Sequence, residues 1–144
     1  MNKKLLLFII FSLLLMNLSA QSVLGLWKTI DDVTEKPKSI LKIYEKDGAI
    51  YAKVVEILVD GREDALCVKC KGPKKDQPIE GMIVFGGLKK IGENEYGDGT
   101  ILDPESGREY RCKIFINPKK PNQLKVRGYV AFFFRTQTWR RVSS

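Results

Sequence analysis

The chain contains no histidine among its 144 residues. That absence excludes Ser-His-Asp and Cys-His catalysis, histidine-ligated zinc and a histidine pH switch. Cysteine is scarce too. Cys67, Cys70 and Cys112 would need carboxylates to complete the usual four-ligand zinc set. Beyond the first twenty residues no apolar run approaches the roughly 20 residues of a spanning helix. No helical period, internal repeat or second domain is visible after residue 22. Acidic residues are in deficit: 17 Asp+Glu stand against 25 Lys+Arg, a formal charge of +8. The length fits one domain, since single cores commonly run to about 100–200 residues. Hydrophobic residues at 44% and charged residues at 29% suit a globular chain, not a disordered one.

The N-terminus differs from everything after it. Lys3 and Lys4 precede an apolar stretch from Leu5 to Met16, and Asn17-Leu18-Ser19-Ala20 follows. Positive start, apolar middle and small-residue exit predict a secretory signal peptide over residues 1–20, cleaved after Ala20. Residues 21–144 then form a single exported domain, periplasmic or extracellular, with no membrane span left after cleavage. Without Lys3 and Lys4 the charge is +6, from 23 basic and 17 acidic residues. A modest positive charge favours anionic partners such as lipid head groups, and secretion argues against nucleic acid. The basic residues are scattered, often in pairs such as Lys89-Lys90 and Arg140-Arg141, as on a solvated surface.

Short β-rich runs punctuated by turns recur along the rest of the chain. They cover 24–29, 39–45, 50–59, 82–89, 95–102, 109–116, 123–131 and 136–142. Lys46-Asp47-Gly48 carries the Asp-Gly hairpin signal. Tyr110, Cys112, Ile114 and Ile116 alternate with Arg111 and Lys113, and Leu124 and Val126 alternate with Lys125 and Arg127. The apolar sets should point inward. Eight sequential strands with mostly short links predict an all-β fold, an eight-stranded up-and-down antiparallel barrel. Closure removes exposed edges, and such a lumen is either filled by side chains or holds one small ligand.

One link is out of scale. Residues 60–80 form a long polar loop, and Cys67 and Cys70 lie inside it. In an oxidising compartment we expect these two to be joined as a local staple. The alternatives are a pairing that uses Cys112, or free, redox or metal use. Lys71-Gly72-Pro73 does not begin the helix a redox CxxC needs. Cys112 falls on the inward face, as a small buried hydrophobe. Gly25-x-Trp27 opens the first strand. There Trp can plug one end of a barrel while Gly allows close backbone approach, with Arg140 or Arg141 stacked on the indole. Arg140 is the assigned partner. Asp103 and Ser106 sit in Asp-Pro-Glu-Ser-Gly, where such side chains most often cap their own turn. Phe132-Phe133-Phe134 cannot all face a core. We expect a bulge that buries two of them; the other arrangement rims the barrel mouth or touches a membrane or partner.

Several of these segments form an ordered set: Gly25-Leu26-Trp27-Lys28-Thr29-Ile30-Asp31-Asp32, Lys36-Pro37-Lys38-Ser39-Ile40, Cys67-Val68-Lys69-Cys70-Lys71-Gly72, and Lys75-Asp76-Gln77-Pro78-Ile79-Glu80-Gly81-Met82. Asp103-Pro104-Glu105-Ser106-Gly107, Val126-Arg127-Gly128-Tyr129 and Arg135-Thr136-Gln137-Thr138-Trp139 complete it. The set resembles the bacterial secreted family called domain of unknown function 2147, over essentially all of the chain after the signal peptide. The resemblance implies a lipocalin-like, calycin-type barrel in the bacterial envelope or outside the cell. It brings no established enzymatic activity to carry over to this chain.

For function, the expected reading is a non-enzymatic protein binding a small hydrophobic or acidic amphipathic molecule, with no cofactor and no metal. Its pocket would be lined by Tyr51, Phe85, Tyr110, Ile114 and Tyr129, with Lys74 and Lys75 drawing an anionic head to the mouth. The alternative is a packed barrel that serves as an envelope protein-interaction module. A carboxylate enzyme ranks last, for want of a partner nucleophile or base. An interior pocket above about 300 Å³ separates the first two readings.

Overall fold

A computed structural model describes residues 2–4 and 22–143. Apart from residues 2–4, the expected signal peptide lies outside the described residues. Eight strands follow in order: β1 Gly25–Ile30, β2 Pro37–Lys46, β3 Ala49–Ile57, β4 Ile83–Gly92, β5 Glu95–Asp103, β6 Arg108–Ile116, β7 Gln123–Val130 and β8 Phe133–Arg141. Each pairs antiparallel with its sequence neighbour, and β1 pairs with β8, so the sheet is a closed up-and-down barrel. Among the described residues, no helix is long and apolar enough to cross a membrane.

The alternation written in the sequence sets the two faces. On β6, Cys112, Ile114 and Ile116 are buried, and on β7 so are Leu124 and Val126. The core cluster unites these with Trp27, Ile43, Ile50 and Leu88. Cys112 is a free thiol, and burial pushes its pKa up to about 12, so it stays protonated and unreactive.

One end of the barrel is closed by the first and last strands. Trp27 is 0% exposed, and its indole N–H donates to the Val23 carbonyl at 2.8 Å. The residue stacked on it is Arg141, with its guanidinium 4.3 Å from the ring centroid. This corrects the assignment to Arg140, which pairs with Lys28 and faces outward beside its inward neighbour. Arg141 also donates to the carbonyls of Ser22 at 2.7 Å, Pro121 at 3.0 Å and Leu24 at 3.2 Å. Gly25 is required by its backbone angle, φ +120°, more than by space: an added Cβ would sit 3.7 Å from Arg141, an ordinary contact.

At the other end lie the 31–36 connection, the long loop, the 104–107 turn and the β7–β8 hairpin tip. In the first of these, the Asp31 carboxylate accepts the N–H groups of Thr34 at 2.7 Å and Val33 at 2.9 Å, which holds its pKa below the usual carboxylate range. The long loop is folded. Cys67 and Cys70 form a disulfide, Leu66 bridges Pro78, and a short 3₁₀ turn covers Gly72–Lys74. Cys67, Cys70, Met82 and Leu102 make a second small core, and Ile79 packs against both cores. The 104–107 turn is seated on this loop. A Cβ on Gly107 would fall 2.0 Å from the Lys69 carbonyl oxygen, so only glycine fits there.

The expected bulge at the phenylalanines does not form. Ala131 (φ +51°) and Phe132 make a tight turn, and β8 begins at Phe133. Phe132, Phe133 and Phe134 are 99%, 78% and 60% exposed at the mouth.

Candidate functional site

The open half of the barrel contains a cavity of about 470 Å³. Its wall is mainly apolar and comes from all eight strands, including Ile30 on β1, Leu41 on β2, Val54 on β3, Val84 on β4, Ile101 on β5, Tyr110 on β6, Val126 on β7 and Trp139 on β8. The long loop adds Arg62, Ala65 and Ile79, so it does act as a partial cover. The charged groups are at the mouth: Lys38, Arg62, Asp103, Glu105 and Arg135, with Gln137 as well. Lys38 pairs with Glu105 at 2.9 Å and Asp31 at 3.9 Å, and Arg135 pairs with Asp32. Arg62 makes no ion pair among the described residues. It is the mouth cation left available.

Of the five expected pocket residues, only Tyr110 stands on this wall. Phe85 and Ile114 point inward but lie in the packed core. Phe85 stacks on Trp139 with ring centroids 6.1 Å apart, and so supports the wall from behind. Tyr51 is corrected outright. Ile50, Ala52 and Val54 are the buried residues of β3, and Tyr51 stacks on Tyr44 on the outer face at 5.7 Å. Tyr129 is also outward, on the face opposite buried Leu124 and Val126. On β3, which is apolar on both sides, Tyr51 is a one-residue slip in parity; on β7 the alternation that buries Leu124 and Val126 itself places Tyr129 outward with Lys125 and Arg127.

Lys74 and Lys75 do not stand at the cavity mouth. Lys74 donates to the Ile83 carbonyl at 3.1 Å, and Lys75 is held by the Val68 carbonyl and by Asp76 at 3.7 Å. Sequence reasoning missed Lys38, Arg62 and Arg135. The usable signal for Arg135 was the apolar hairpin in front of it; Arg62 carried none beyond its place in the loop. Asp103 accepts the Ser106 hydroxyl at 2.7 Å and the Glu105 N–H at 3.1 Å, so it organises its own turn.

A second groove adjoins the cavity, sharing Leu102, Tyr110 and Val130 with it, between the disulfide loop and β6–β7. Lys69, Lys71, Lys74 and Arg108 line it with a single carboxylate, Glu109, and Tyr110, Tyr129 and Val130 form its other surface.

A family model described as an uncharacterised protein conserved in bacteria (DUF2147) matches residues 25–141. No curated protein matches the chain. Among solved structures, the chain is similar to protein HP1028 from the human pathogen Helicobacter pylori, described as belonging to the lipocalin family. The two share 21% identity over 85% of this chain and 84% of that one, with a TM-score of 0.72, a likeness of fold.

Proposed function

We propose that this chain, which belongs to the DUF2147 family of uncharacterised bacterial proteins, is an exported, non-enzymatic carrier for a small hydrophobic or acidic amphipathic molecule. The observation that carries this reading is the 470 Å³ apolar cavity whose charged groups are confined to its mouth. Ligand sites commonly span about 300–1,000 Å³, with apolar walls and a few placed polar groups. An acyl chain would lie against Leu41, Val54 and Val126, and an anionic head would meet Arg62. The interior thiol of Cys112 is kept protonated by burial.

The test is titration of delipidated protein with fatty acids, following the fluorescence of Trp139 on the cavity wall. Saturable binding that weakens about tenfold in Arg62→Glu and vanishes in Val126→Trp, which fills the lumen, is the expected result. No saturable binding would instead favour the protein-interaction module.

A further inference from the structure

The exposed apolar residues are not spread evenly. Phe132 at 99%, Val33 at 91% and Phe133 at 78% are the most exposed large apolar side chains among the described residues, and all three stand at the mouth end. The Arg135–Asp32 pair ties the connection bearing Val33 to the base of the phenylalanine hairpin. Neither Phe132 nor Val33 belongs to the cavity wall. A single exposed apolar residue needs no explanation, but a projecting aromatic tip does.

The β6–β7 side of the tip has one dominant sign. The groove beside it, which shares Val130 with the hairpin, carries four cations against one carboxylate. Arg127 adds a further cation, 4.4 Å from the centroid of Phe134 on the outer face. Of the nearby acids, Asp31, Asp32 and Glu105 are matched by Lys38 and Arg135, while Glu35 and Asp103 make no ion pair among the described residues. An aromatic wedge flanked by unpaired cations is complementary to one kind of surface, an acyl layer topped by anionic head groups.

We propose that the mouth end docks on an anionic phospholipid bilayer. Phe132, Phe133 and Val33 enter the head-group boundary, while Lys69, Lys71, Arg108 and Arg127 lie against lipid phosphates. The mouth then faces the acyl layer. Docking does not depend on what the cavity holds.

The test is co-sedimentation of the chain lacking residues 1–21 with vesicles of phosphatidylcholine, with and without phosphatidylglycerol, at low and high salt. Binding is expected with phosphatidylglycerol, weaker at high salt, and near background on phosphatidylcholine alone. The double variant Val33→Ser/Phe132→Ser should lower partitioning by about tenfold or more, from the apolar area withdrawn. Lys71→Glu/Arg108→Glu should lower it by about fivefold or more per charge reversed. All four side chains are exposed, so both variants should melt like the parent. Val126→Trp should still sediment with vesicles, which separates docking from cavity occupancy. Absence of vesicle binding by the folded parent overturns the proposal and leaves a protein as the tip's occupant. Equal binding by parent and Val33→Ser/Phe132→Ser also overturns it.

Discussion

At one end of the barrel the inward positions carry Trp27, Ile43, Leu88, Ile114 and Leu124, and the lumen is filled. Towards the other end the same alternation places Val54, Val84, Val126 and Gly128, and about 470 Å³ stays open. The strands are equivalent in kind. What differs is side-chain volume at inward positions, so a single barrel divides into a packed half that holds the fold together and an open half with room for a guest. The closures differ as well. The packed end is sealed by Trp27 and Arg141 from the terminal strands; the open end is covered by a loop that relies on a disulfide and a glycine for its shape.

Substitutions can break this contrast if it is wrong. Trp27→Ala should have the largest effect, a loss of about 3–5 kcal/mol in denaturant unfolding, because it empties the most completely buried large side chain. A loss below about 1 kcal/mol would show that the packed end is not where stability resides. Next comes Arg141→Ala, at about 2–3 kcal/mol, since three carbonyls lose a charged donor and Trp27 loses its stacked cation. Arg140→Ala, one residue away and outward, should stay within about 0.5 kcal/mol. Equal effects in thermal melts would refute the assignment of Arg141 as the lock. At the open end Gly107→Ala should cost about 1–2 kcal/mol, through the clash with Lys69 and the positive φ. Its clearer sign should be faster proteolysis within residues 60–80, with the packed half unaffected; an unchanged cleavage rate would mean the loop does not rest on that turn.

The barrel was legible because two short-range signals agreed over most of its length: period-two alternation on β6 and β7, and turn chemistry at Asp47-Gly48 and in 103–107. Where one signal was missing, the reading slipped. The β7–β8 turn is Ala131-Phe132, which carries neither Gly, Asn nor Asp, so the start of β8 was placed at 136 instead of Phe133. On β3, Ile50-Tyr51-Ala52 is apolar on both faces, and nothing local says which parity faces inward. Adjacent Arg140 and Arg141 pose the same problem, and only the pairing of Trp27 with Arg141 decides it. The cavity was legible only as a choice between open and packed. Its size depends on residues from eight strands and a loop meeting across the lumen, which no window of sequence contains.

The β1–β8 seam has a kinetic side. Seven of the eight pairings join consecutive strands, six of them across links of six residues or fewer and β3–β4 across the 25 residues 58–82. The eighth joins segments as distant as Leu24 and Arg141, 117 residues apart. Loop entropy makes that closure the slow one. Until it forms, the nascent meander is an open ribbon with β1 and β8 as bare edges, competent to pair with the edges of other chains. Arg141 is therefore a timing element as well as a lock. Its contacts with the Ser22 and Leu24 carbonyls and its indole stack become available together, at the moment when the ribbon becomes a ring.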